Sequence, residues 1–192
     1  MEDRQFNALL EIHNFFTKED IPYVIIGGIA LQNWGEPRFT KDIDICILVN
    51  FGEEKRVIEK ILSHFSGRIS DALDFAIKNR VCLVWSRDEI EIDISLGIPG
   101  YEEEAIKRAI DCPLNKGFVR ICSAEDLIIH KAVAGRAQDL ADIEGIIIRQ
   151  GKRLDVDYIR NWLKEFSRAL EMDEILNRFE EPWTDIKNEG IL

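Results

Sequence analysis

Residues 27–44 run Gly27-Gly28-Ile29-Ala30-Leu31-Gln32-Asn33-Trp34-Gly35-Glu36-Pro37-Arg38-Phe39-Thr40-Lys41-Asp42-Ile43-Asp44. The glycine pair follows a short apolar run, Tyr23 to Ile26, that reads as a buried strand, and it opens a two-turn helix that Gly35 closes. A double glycine lets backbone approach a ligand closely, and the helix start beyond it offers N–H groups and the positive end of the helix dipole, a pairing suited to phosphate. The stretch ends in a strand expected from Asp42 to Val49. Side chains alternate along a strand, so Asp42 and Asp44 leave on one face while Ile43 and Ile45 enter the core. Two carboxylates aimed at one spot repel each other unless a hard cation lies between them, and Mg²⁺ takes one or two carboxylates together with substrate phosphates. With neither Cys nor His close by, zinc is disfavoured.

A third carboxylate on a neighbouring strand would complete a two-metal clamp, with ions about 3.5 to 4 Å apart. Asp93, in Glu91-Ile92-Asp93-Ile94-Ser95, is the best candidate and Glu91 the reserve. Taken alone, an Asp-x-Asp pair reads as a solvated strand face; the glycine pair upstream turns that reading towards a site. His13, His64 and His130 share no metal-ligand spacing.

Working outward, Phe6, Leu9, Leu10 and Phe16 recur at helical spacing through the first 17 residues, and Ile21-Pro22 breaks the pattern. After Gly52, the residues Val57, Ile58, Ile61, Leu62 and Phe65 share one helical face that Gly67 ends. Three short strands are expected next, at Phe75 to Ile77, Val81 to Trp85 and Glu89 to Leu96. A helix over Tyr101 to Ile110 and a strand over Phe118 to Ile121 follow. From Ser123, an N-cap, the chain reads as helix over 124–134, 137–150 and 155–170, with a weaker helix to Phe179 and a loose tail containing Pro182. The fold class is therefore α+β: a mixed sheet flanked by helices in an α/β core over 1–121, with a C-terminal helical region over 122–192 packed on it.

Composition narrows the function. At 192 residues and 46% hydrophobic content the chain can bury a sizeable core, and a formal charge of −11 argues against coating nucleic acid by bulk electrostatics. Cys46, Cys82, Cys112 and Cys122 form no Cys-x-x-Cys pair and read as buried thiols in the cytoplasm. No apolar run approaches the roughly 20 residues that a membrane span needs. The run Ile143 to Ile148 exceeds what one buried stripe requires, which leaves apolar surface for a partner.

The glycine pair, spacer, Asp-x-Asp pair and later carboxylate together resemble the nucleotidyltransferase superfamily of DNA polymerase beta. Within it, Gly27-Gly28-Ile29-Ala30 followed by Arg38-Phe39-Thr40-Lys41-Asp42-Ile43-Asp44 is similar to the bacterial AbiEii-type branch. So is the later block from Asp126 to Ile143, with its Lys131-x-x-Ala134 helix, Arg136, and Asp139-x-x-Asp142. The resemblance implies a nucleotidyltransferase fold in which Asp42 and Asp44 are the principal metal ligands. Asp93 would be the third ligand, orienting or deprotonating the acceptor. It implies nucleotide binding by Gly27 and Gly28 as the phosphate loop, by Arg38 and Thr40, by Lys131 at the triphosphate, and by Asp139, which would position Lys131 or the substrate. One departure is that several members carry Ser at the second glycine, where this chain has Gly28.

The activity so implied is Mg²⁺-dependent transfer of a nucleoside monophosphate from an NTP, with Mn²⁺ as a workable substitute. A toxin-like enzyme of the AbiEii type would act on RNA, such as a tRNA end. Aminoglycoside and lincosamide nucleotidyltransferases share the start Gly27-Gly28-x-Ala30-Leu31, which keeps a small-molecule acceptor open, and an acidic chain suits a cationic one. A partner protein is a third acceptor, in the manner of minimal nucleotidyltransferases and their paired toxins, so a cognate toxin or antitoxin is a candidate partner. From another class, the chain could hold NTP or a partner without turnover.

Overall fold

In a computed structural model, which describes residues 3–114 and 116–191, the first apolar stripe forms helix α1 (Asp3–Lys18). Its buried residues Ala8, Leu9, Ile12, Phe15 and Phe16 fall three and four apart, the spacing of one helical face. The ends of two expected segments, residues 1–2 and 192, lie outside the described residues.

The chain divides into two compact units, Met1–Ile29 with Phe39–Cys122, and Ala30–Arg38 with Ser123–Leu192. In the first unit, β1 (Tyr23–Ile25) leads into α2 (Gly27–Trp34), whose later turns belong to the second. There follow β2 (Ile43–Leu48), α3 (Glu54–His64), β3 (Ser66–Gly67), α4 (Ala72–Asn79), β4 (Val81–Trp85), β5 (Glu91–Gly97), α5 (Tyr101–Arg108), β6 (Ile110–Leu114) and β7 (Gly117–Ile121). The strands form one mixed sheet in the order β3-β4-β5-β2-β1-β7-β6. β2 runs parallel to β5 and antiparallel to β1, and β1 runs parallel to β7. Ile43, Ile45, Ile92, Ile94, Cys82 and Val84 are all buried, while the residues alternating with them in β4 and β5 are only partly covered. One face of this part of the sheet is thus core and the other is open.

Three expectations are corrected here. Phe75 to Ile77 lies in α4, not a strand: Ala72 and Ala76, four residues apart and so on one helical face, are buried, and Arg80 closes the helix at φ 54°. The strand over Ile110–Leu114 was not expected, because an edge strand with mostly exposed side chains shows no apolar run, and its Pro113 is tolerated there. The expected weak helix and loose tail form one helix that continues past Phe179 to Asn188.

The second unit holds α6 (Ala124–Ala134), α7 (Ala137–Gln150), a 3₁₀ turn (Gly151–Arg153), α8 (Val156–Leu170) and α9 (Glu174–Asn188). Ser123 caps α6 as expected, accepting from the Asp126 N–H at 3.0 Å. Helix α9 carries Pro182 in its interior and is held by Ile175, Phe179 and Ile186, all buried. Among the described residues no helix is long and apolar enough to cross a membrane. Cys46, Cys82 and Cys122 are buried, and Cys112 is half-buried.

Candidate active site

In the first unit the site is assembled at the junction of β1, α2 and β2. The Ile26 N–H donates to the Asp44 carbonyl at 2.9 Å, which sets the start of α2 beside the acidic strand. Gly27 adopts φ +61°, a conformation L side chains rarely take, and a Cβ there would overlap the Asp44 carboxylate. The two features leave glycine as the residue that fits. Gly28 is constrained differently: a Cβ added to it would lie 2.7 Å from both the Cβ and the hydroxyl oxygen of Thr40. Thr40 is buried, with its carbonyl accepting from Gln5 Nε2 at 3.1 Å and its hydroxyl donating to Asp42 Oδ1 at 2.8 Å. The Thr40 hydroxyl therefore stands where a serine side chain at position 28 would project. No acidic residue occupies the first turn of α2, as an anion-facing helix start requires.

Asp42 lies just ahead of β2 and Asp44 within it, both half-buried and alternating with buried Ile43 and Ile45. In the parallel β2–β5 register Asp44 stands directly opposite Asp93. Two of the three expected carboxylates, Asp44 and Asp93, are thus neighbours across the ladder. The Asp93 carboxylate, however, is ion-paired with the guanidinium of Arg68, which also reaches Glu91 at 3.6 Å. Among the described residues no three His, Cys, Asp or Glu side chains converge on one metal position. Asp42 and Asp44 are the pair that could hold a hard cation, with phosphate supplying further oxygens, which is the mode Mg²⁺ favours.

In the second unit Lys131 is buried, its ammonium held by Asp142 and by Asp139 at 3.3 Å. Arg38 makes a forked pair with Asp142, at 3.2 and 3.1 Å, and Arg136 makes another with Asp139, at 2.6 and 3.1 Å. Arg136 also forms the N-cap of α7, where Asp139 accepts from its backbone N–H. Burial pushes both aspartates up, but hydrogen bonds from Arg136 to Asp139 and from Arg38 to Asp142, helped by Lys131, outweigh it and hold both below the usual carboxylate range. Arg38 and Arg136 are the ends of this network that reach solvent, at 39% and 77% side-chain exposure.

The profile of a family described as a nucleotidyltransferase of unknown function, DUF6036, matches residues 4–190. The chain belongs to this nucleotidyltransferase family. Among solved structures it is similar to the antibiotic-resistance factor ANT(2'')-Ia in solution. There the TM-score is 0.60 at 20% identity, over 89% of this chain and 97% of that one. A crystal structure of ANT(2'')-Ia in complex with adenylyl-2''-tobramycin gives 0.56 at 18% identity, over 86% and 98%. An antigenic nucleotidyltransferase-like protein from Paracoccidioides brasiliensis gives 0.53 at 18% identity, over 92% and 94%. These likenesses establish the fold. No curated protein matches the sequence.

Arg68, paired with Asp93, is the residue at this candidate site that sequence reasoning missed. It follows Ser66-Gly67, a pair that reads as a helix stop, and only its backbone bond to the Leu83 carbonyl at 2.9 Å, extending the β3–β4 pairing, carries it over the acidic row.

Proposed function

We propose that the chain uses Mg²⁺, or Mn²⁺ in its place, to transfer a nucleoside monophosphate from an NTP to an acceptor hydroxyl. The acceptor oxygen bonds to the α-phosphorus, the bond to the β-phosphate bridge breaks, and pyrophosphate leaves. The observation that carries this is the direct opposition of Asp44 and Asp93 beside the Gly27 turn. Asp42 and Asp44 would hold the cation, which would neutralise phosphate charge and polarise the α-phosphoryl group. Asp93 would take the acceptor proton. Gly27 and Gly28 would offer backbone N–H groups to phosphate, and the Thr40 hydroxyl would take the place of the serine that several members carry. In the second unit, Arg38 would contact phosphate or base, and Lys131 and Asp139 would serve binding by holding the network to which Arg38 is tied.

The AbiEii-type likeness of the Arg38–Asp44 string supports an RNA end as acceptor and a toxin-like role with a cognate partner in the cytoplasm. A second reading, a cationic small molecule, is favoured by the net charge of −11. ANT(2'')-Ia, seen with adenylyl-2''-tobramycin, would be its counterpart. The test incubates purified protein with Mg²⁺ and each α-labelled NTP against bulk tRNA, an aminoglycoside and lincosamide panel, and a protein extract, with Asp42→Ala alongside. Label transferred to tRNA and lost in the variant supports the leading reading. Label on the panel or the extract alone moves the acceptor to that class. Transfer that persists in Asp42→Ala removes the proposed mechanism.

A further inference from the structure

Three carboxylates lie on the strands of the open face of the first unit: Asp44 in β2, and Asp93 and Glu91 in β5. The cation paired with the last two is Arg68, whose side chain is 20% exposed. Its guanidinium carbon also lies 5.8 Å from the centre of the Trp85 ring, a cation–π contact, while one guanidinium nitrogen meets Asp93 and another meets Glu91. Trp85 stands opposite Glu91 in the β4–β5 ladder, and Leu83 opposite Asp93. A backbone bond, a cation–π contact and two carboxylates thus meet at one residue, although a plain surface ion pair would need neither of the first two.

We infer that Arg68 is a positioning residue for nucleotidyl transfer: it holds the Asp93 carboxylate in place beside Asp44 and sets the negative field that a divalent cation meets. The inference rests on the proposed reading of Asp42, Asp44 and Asp93. Its physical basis is charge balance. Without Arg68 the opposed carboxylates would repel each other, and Asp93 would turn towards water. With it, a positive charge is held on the carboxylate opposite Asp44 and weakens cation binding by Coulomb repulsion. At the effective dielectric of a partly exposed site, that repulsion amounts to about a tenfold change in affinity.

The test measures Mn²⁺ binding to the full chain by electron paramagnetic resonance, together with steady-state kinetics, for wild type, Arg68→Gln and Arg68→Lys. Arg68→Gln is expected to bind Mn²⁺ about tenfold more tightly while kcat falls about a hundredfold, with the KM for NTP changed by less than about threefold. Arg68→Lys, which keeps the charge and loses the fork, is expected to keep wild-type Mn²⁺ affinity within about twofold and still lose most of kcat. A folded Arg68→Gln with wild-type Mn²⁺ affinity overturns the inference while leaving the site reading intact. If Arg68→Gln does not fold, Arg68→Lys decides alone: unchanged kcat overturns the inference. A wild-type protein that binds no Mn²⁺ brings down the site reading, and this inference with it.

Discussion

At the scale of the residue, Gly28 and Thr40 occupy one another's space. An added side chain at 28 would meet the Thr40 Cβ at 2.7 Å and its methyl at 3.1 Å, and Thr40 is itself anchored by Gln5 and Asp42. Gly28→Ser alone is expected to cost about 1–3 kcal/mol through overpacking and to weaken NTP binding. Gly28→Ser combined with Thr40→Gly moves the hydroxyl from one carrier to the other. It should recover at least about 1 kcal/mol over the sum of the two single changes. A double-mutant cycle on urea midpoints, with NTP titrations beside it, measures that coupling. Strict additivity would show that the two residues do not share the space.

At the scale of the element, α9 shows how tertiary contact overrides a local breaker. Pro182 lacks the N–H that a helix interior uses, and its ring crowds the carbonyl four residues back, a penalty of about 3 kcal/mol. The helix persists because Ile175, Phe179 and Ile186 are buried and Trp183 stacks on Phe179, with ring centres 5.7 Å apart. Pro182→Ala should therefore stabilise the protein by about 1–3 kcal/mol, and Phe179→Ala should destabilise it by about 3–5 kcal/mol. Both are read from chemical denaturation followed by far-ultraviolet circular dichroism. A neutral Phe179→Ala would mean that the C-terminal helix is not docked.

At the scale of the whole molecule, the chain carries a charge of −11 yet encloses a network in which Arg38, Lys131 and Arg136 meet Asp139 and Asp142. Because both carboxyls titrate lower in the folded protein than in the unfolded chain, their contribution to stability is fully present above the unfolded value of about 3.9. It is lost as pH falls from about 4 through the depressed folded values. Urea midpoints should be insensitive to these two groups between pH 5 and 7 and should fall steeply below about pH 4. The fall should be shallower in Asp142→Asn, which retains one hydrogen-bonding oxygen. A midpoint that drops between pH 7 and 5 in wild type, and not in the variant, would contradict this sign.

What the sequence determined by itself was everything written in short-range pattern: the α+β order of elements, the Gly27-Gly28 turn, the alternation that directs Asp42 and Asp44 outward, and the Ser123 cap. Each depends on residues within one or two turns or on the period of a strand, so it is legible without knowing what lies across the fold. Only tertiary structure decided the rest. Phe75–Ile77 is apolar in either state and becomes helical by packing; Ile110–Leu114 becomes a strand because β7 offers it an edge. Ala30–Arg38 joins the later helices, with the Trp34 carbonyl accepting from Gln150 at 2.6 Å and the Gly35 carbonyl from Arg149 at 2.6 Å. The pairing of Asp44 with Asp93 and the reach of Arg68 to Asp93 depend on strand register across long sequence separations, and register is set by which side chains can share a core, a property of pairs that no local stretch contains.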